Sequence, residues 1–101
     1  MKKVKVLLTG LSQQDLKTAR NYYKEISPNL AKAFLERINE AKIFISENPL
    51  GNDISYKNVR TNLLKQFPYH VHYLIDESNC IIFIIAIEFA KRENVDFSER
   101  I

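Results

Sequence analysis

Seven residues in the second half of this 101-residue chain could act on a charged partner: Lys57, Arg60, Lys65, His70, His72, Lys91 and Arg92. Between residues 54 and 74 the cations meet no acidic side chain. Hydrolysing or cyclising RNA without a metal needs cations to hold the charge that develops on phosphorus, and a group that moves protons near neutral pH. Lys57, Arg60, Lys65 and Arg92 answer to the first need. His70 and His72 answer to the second, histidine being the side chain whose ordinary titration lies nearest neutrality. In a regular strand Arg60 and Lys65 have opposite parity, so only a bulge or break between them lets both line one groove. Neither histidine has an acidic or cysteine partner nearby in sequence, and Cys80 is the only cysteine. No metal, cofactor or internal disulfide is therefore expected.

The elements that must position these side chains follow from periodicity. Val4, Val6 and Leu8 alternate with Lys3, Lys5 and Leu7, a strand ending at Thr9-Gly10. Ser12-Gln-Gln-Asp15 fits a capping box opening a helix, with Leu16, Ala19, Tyr23 and Ile26 on one stripe. Ser27-Pro28 stops that helix and starts another, with Ser27 as N-cap and Pro28 at the first helical position. The second helix carries Leu30, Phe34, Ile38, Ala41 and Ile45, and Asn48-Pro49-Leu50-Gly51 ends it. Three strands follow, around Val59–Phe67, Tyr69–Ile75 and Cys80–Glu88, the last two joined by the polar turn Asp76-Glu-Ser-Asn79. Residues beyond Ala90 are polar and predict a short helix or tail.

Within Tyr69–Ile75, alternation puts Tyr69, Val71, Tyr73 and Ile75 on one face, and His70 and His72 on the other. The first set should hold the helices, with the tyrosine hydroxyls at the rim of the core. The expected fold is α+β: an N-terminal strand, an antiparallel two-helix hairpin, then a three-stranded antiparallel meander. The first strand joins the edge of a four-stranded sheet, and both helices cover one face. The opposite face is expected to lie open with a positive fringe. There the histidines meet a guest or, more plainly, solvent.

Composition sets the outer bounds. Hydrophobic residues at 46% and charged residues at 27% are a globular balance, so disorder is excluded and a single domain over 1–101 is expected. The formal charge of +3 permits contact with nucleic acid without demanding it. Val4–Leu8 is too short for a signal-peptide core, and the longest apolar run, Ile81–Ile87, is too short to cross a bilayer as a helix. A cytoplasmic protein with no membrane partner is expected.

With the order β-α-α-β-β-β in place, the chain resembles the RelE/ParE superfamily of bacterial type II toxin–antitoxin toxins over nearly its whole length. The residues that carry the resemblance are Asp15-Leu16, Tyr22-Tyr23, Ser27-Pro28 with Ala31 and Phe34, Asn48-Pro49, Val59-Arg60, Phe67-Pro68-Tyr69 with Tyr73, and a tail with Arg92, Phe97 and Arg100. The chain departs from the ParE-like pattern at Phe89, where a histidine is common, and at Asn94, where a proline is common. It departs from the RelE-like ribonucleases at Phe97, the counterpart of a tail tyrosine, which has no proton to give.

The resemblance implies a toxin of the ParE-like branch, one that binds and inhibits DNA gyrase and is neutralised by a cognate antitoxin. Such an antitoxin's acidic segment needs an apolar groove with a basic rim. The helix hairpin would supply the groove, and Lys57, Arg60, Lys65, His70, His72, Lys91 and Arg92 the contacts, with Lys17, Lys24 and Lys32 adding to the rim. The alternative is a RelE-like ribonuclease acting on mRNA at the ribosome, with Arg60, Lys65, His70 and Arg92 as its catalytic set. A family member that only binds its antitoxin is a third reading.

Overall fold

The computed structural model describes residues 4–90 and 95–101, so Lys91 and Arg92 lie outside the described residues. Strand β1 (Lys5–Leu8) leads into helix α1 (Gly10–Ile26), and Ser27 alone separates α1 from α2 (Pro28–Glu47). The cap of α1 is not the predicted one. Thr9 is the N-cap, its Oγ1 accepting from the Ser12 N–H at 3.3 Å, while the buried Ser12 hydroxyl donates back to the Thr9 carbonyl at 2.9 Å. Thr9 can begin the helix this early because it also closes β1, its own N–H reaching the Ile84 carbonyl at 3.0 Å. Asp15 is thereby freed for another task.

Helix α2 starts as expected, with Ser27 as N-cap and Pro28 in the first turn. Its β-branched Ile38 and Ile45 each disfavour helix by roughly 0.5 kcal/mol, but burying such a side chain contributes about 1.5–3 kcal/mol, so packing wins. Phe34, Ile38, Ala41 and Ile45 are all buried. Across from them Tyr23 meets Phe34, Phe67 and Tyr69 with ring centroids 5.2, 4.9 and 6.1 Å apart. Ile26, predicted on the buried stripe of α1, is exposed at the helix end.

The sheet has five strands rather than four, in the order β1-β5-β4-β3-β2. The addition is β2 (Ile54–Tyr56), which pairs antiparallel with β3 (Val59–Leu63). The Lys57-Asn58 turn between them has positive φ at both residues, 37° and 66°, as a two-residue type I′ hairpin requires. Strand β3 stops at Leu63, short of the predicted Phe67, because the chain turns through Gln66 at φ 73° and tucks Leu64 and Phe67 into the core. β4 (Tyr69–Asp76) and β5 (Ile81–Phe89) form the central hairpin, and β1 runs parallel to β5 at the far edge. Among the described residues no helix is long and apolar enough to cross a membrane.

A bulge in β5 sets the two faces. Tyr73 opposes Ile84 and His72 opposes Ala86, so Ile85 has no partner across the ladder. Ile82, Ile84 and Ile87 join the main core under the helices, while Ile85 and Ala86 both join a smaller core on the second face. One extra residue has inverted the alternation of everything after it.

Candidate functional site

Because of that inversion, Glu88 lands on the second face, directly opposite His70. Unbroken alternation from Ile82 and Ile84 would have driven its carboxylate into the main core. Instead Glu88 Oε1 accepts from His72 Nε2 at 2.8 Å and lies 3.7 Å from His70 Nδ1. On the other side of the His72 ring, Nδ1 is 2.9 Å from the Tyr56 hydroxyl, which itself accepts from the Phe97 N–H at 3.1 Å. A carboxylate on one side demands a proton on Nε2, so Nδ1 accepts from Tyr56. The resulting chain runs from Phe97 through Tyr56 and His72 to Glu88.

Burial tunes this chain. His72 is only 2% exposed, and burial pushes its pKa below the ordinary histidine value, against the opposing pull of Glu88. Burial likewise raises the Tyr56 hydroxyl above the usual phenol range, opposed by the Phe97 N–H. The Phe97 ring lies edge-on to His72 at 4.9 Å, and the Arg100 guanidinium sits 4.7 Å over Phe97. Glu88 Oε2 is buried and finds no hydrogen-bond partner among the described residues. Beside the cluster, Ser55 and Thr61 share a hydroxyl hydrogen bond at 2.8 Å, and with His70, Ala90, Val95 and Asp96 they line a shallow concavity.

The tail that carries Phe97 and Arg100 is held by Asp15. β1 ends opposite Ile84, so beyond that point the outer edge of β5 has no strand partner among the described residues. There Asp15 Oδ2 accepts from the Ile87 N–H at 3.1 Å and from Arg100 at 2.7 Å, and Arg100 donates to the Ile85 carbonyl at 2.9 Å. Two side chains thus continue the ladder where the strand runs out.

Of the seven residues singled out from the sequence, the five that are described do not converge. His70 and His72 come together on the second face. Arg60 opposes Tyr73, so it lies on the helix face, donating to the Asn52 carbonyl beside the Tyr73 hydroxyl. Lys65 lies past the end of β3, in a groove against α2 with Arg37, Glu40, Ala41, Phe44 and Leu64. Lys57 sits exposed on the β2–β3 turn, where its charge reaches Asp96. Lys91 and Arg92 fall outside the described residues. Nor is the second face open as expected: Val59, Ile85 and Ala86 form a core there, with Tyr56, Leu74, Phe83 and Phe97 packed on it.

Glu88, Tyr56, Asp15 and Arg100 are the residues that sequence reasoning did not assign to this site. The Asp76–Ile81 pair beside the turn, counted back without a bulge, puts Ile87 opposite His70. Only the extra residue brings Glu88 there.

The family model described as the ParE toxin of the type II toxin–antitoxin system, parDE, matches residues 6–93. The chain belongs to the ParE toxin family. Among solved structures, this ParE-family chain is similar to one from the chromosomal ParDE toxin–antitoxin system of P. aeruginosa, with a TM-score of 0.76 and 19% identity over 88% of this chain and 98% of that one. It is also similar to a chain of the toxin–antitoxin complex RelBE2 from Mycobacterium tuberculosis, with a TM-score of 0.56 and 16% identity over 87% of this chain and 99% of that one. At these identities the likeness is one of fold. No curated protein matches the sequence.

Proposed function

We propose that this ParE-family chain is a binding toxin that inhibits DNA gyrase and is neutralised by a cognate antitoxin docking in the groove between α2 and β3. The groove carries the reading. Its floor is apolar, with Ala41, Phe44 and Leu64, and its rim carries Lys65 together with Arg37, which is paired with Glu40 at 2.6 Å. The pairing of β2 with β3 extends only to Arg60, so the outer edge of β3 from Thr61 to Leu63 has no strand partner among the described residues. An extended or helical segment with acidic residues fits such a surface: backbone pairing and apolar anchors give affinity, and the rim charges select the partner. Both solved relatives come from toxin–antitoxin systems, which supports an antitoxin as that partner.

The ribonuclease reading is less well supported. A metal-free ribonuclease needs cations around the scissile phosphate. Here the two histidines face a carboxylate, which repels phosphate, while Arg60 lies on the opposite face of the sheet. The decisive experiment pairs two assays on the purified chain, each with and without the proposed antitoxin. Inhibition of gyrase supercoiling, relieved by that protein, is the expected result. Supercoiling at control levels with excess toxin, together with mRNA cleavage in a translating extract, would replace this reading with the ribonuclease one.

A further inference from the structure

We propose that His70, His72 and Glu88 bind a divalent transition-metal ion of the zinc class, with a fourth coordination position facing the concavity lined by Ser55, Tyr56 and Thr61. The three donors come from the two central strands of the sheet, a rigid support. His70 and His72 project side by side from one face of β4, and Glu88 stands directly across from His70 on β5. One donor atom from each lies within 4.8 Å of the others. Zinc–nitrogen and zinc–oxygen bonds of about 2.0–2.2 Å place tetrahedral donors roughly 3.3 Å apart. The two separations to Glu88 Oε1, 2.8 Å from His72 and 3.7 Å from His70, bracket that value, and with all three donors within 4.8 Å of one another the rings would close on the ion by up to about 1.5 Å.

Three further observations favour a cation here. The Glu88 side chain is only 9% exposed, its ion-pair partners among the described residues are these two histidines, and its second oxygen is an unsatisfied buried acceptor. A buried carboxylate so poorly compensated is costly, and a dication removes the cost. Arg100, the cation stacked over Phe97, is already committed to Asp15 at 2.7 Å.

The outer shell is also in place. Metal-ligating histidines are normally oriented by a hydrogen bond at the other ring nitrogen, and Tyr56, itself held by the Phe97 N–H, stands at His72 Nδ1. When Nε2 binds metal, the imidazole proton resides on Nδ1 and is donated to Tyr56 Oη, whose own proton turns toward the concavity. The ring is neutral before and after, so no proton is lost. Two imidazoles and one carboxylate suit zinc and its neighbours, whereas calcium and magnesium take six or more ligands that are mostly oxygen.

The test uses the full, untagged chain, stripped of metal with a chelator. Titration with cobalt(II) should give saturable visible d–d absorption at one ion per chain. Zinc chloride should displace the cobalt and raise the thermal midpoint. His70→Ala, at a partly exposed position, and Glu88→Gln, which retains a hydrogen-bond acceptor for His72, should each weaken cobalt binding by at least about tenfold. Circular dichroism should show both variants folded, and Cys80→Ser should bind like the parent. The absence of saturable binding by the parent chain overturns the site, as does undiminished binding by folded His70→Ala. Loss of binding in Cys80→Ser would also overturn it, by moving the ligands elsewhere. None of these readouts depends on gyrase or antitoxin, so the metal site and the proposed toxicity stand or fall separately.

Discussion

Replacing Arg100 with alanine tests the idea that the tail is built into the sheet rather than laid over it. The guanidinium makes a charge-assisted bond to Asp15 at 2.7 Å, a second to the Ile85 carbonyl at 2.9 Å, and a stacking contact with Phe97 at 4.7 Å. A fully buried bond to a charged group contributes about 1.5–3 kcal/mol, but the Arg100 and Asp15 side chains are 19% and 23% exposed, which screens them. Taking about 1 kcal/mol for each bond and about 0.5 for the stacking gives a loss of roughly 2–3 kcal/mol. For a domain of this size that is a fall in melting temperature of roughly 8–24 °C. Urea denaturation gives the free energy directly, and an unchanged m-value shows that the same surface still unfolds in one step. A double-mutant cycle with Asp15→Asn should return a coupling of about 1 kcal/mol. In Asp15→Ala the Ile87 amide should exchange faster, having lost its acceptor. A loss below about 0.5 kcal/mol in Arg100→Ala, within the range of ordinary surface substitutions, with no coupling in the cycle, would refute the claim that these contacts anchor the tail.

Three other perturbations follow from the geometry. Tyr73→Phe removes a buried hydroxyl that accepts from Asn52 at 3.1 Å and donates to the Pro49 carbonyl at 3.2 Å, so urea denaturation should show a loss of about 1–2 kcal/mol. Thr9→Ala deletes the cap of α1 and should cost about 1 kcal/mol by the same measurement. Phe44→Glu, at a position 42% exposed in the α2–β3 groove, should leave stability within about 0.5 kcal/mol of the parent. In calorimetry the same variant should weaken binding of the antitoxin proposed to dock there by about tenfold or more.

The helices were legible because their signal is long and redundant. Five apolar residues at helical spacing define the buried face of α2, and the Ser27-Pro28 step fixes where it begins. The β4–β5 hairpin was legible for a similar reason, a polar turn between two long apolar strands. Strand β2 was not, since three residues are too few to show alternation, and Lys57-Asn58 lacks the glycine that usually marks a two-residue turn. The α1 cap was misplaced because Thr9 and Ser12 both suit the position, and only the strand that delivers Thr9 decides between them. The cluster on the second face was invisible for a deeper reason. Its members come from β2, β4, β5 and the tail, and their meeting depends on a register that local spacing does not carry.

That register connects features that otherwise look separate. A bulge leaves a residue without a cross-strand partner, and here it falls where β1 has also ended, so the backbone near Ile85 would be under-bonded on both sides. Asp15 and Arg100 take up the Ile87 N–H and the Ile85 carbonyl, which ties helix α1 and the C-terminal turn Ser98–Arg100 to the bulge in β5. With the tail held there, Phe97 is set over His72, and its backbone N–H fixes Tyr56. The same bulge has turned Glu88 toward the histidines. Removing the irregularity would therefore not simply straighten a strand. It would bury a carboxylate beneath the helices, release the tail from its anchor and separate His72 from both of its hydrogen-bond partners. A feature on which so many buried polar groups depend is part of how the second face is built, and a ligand held by Glu88 and the histidines would draw its rigidity from that same point.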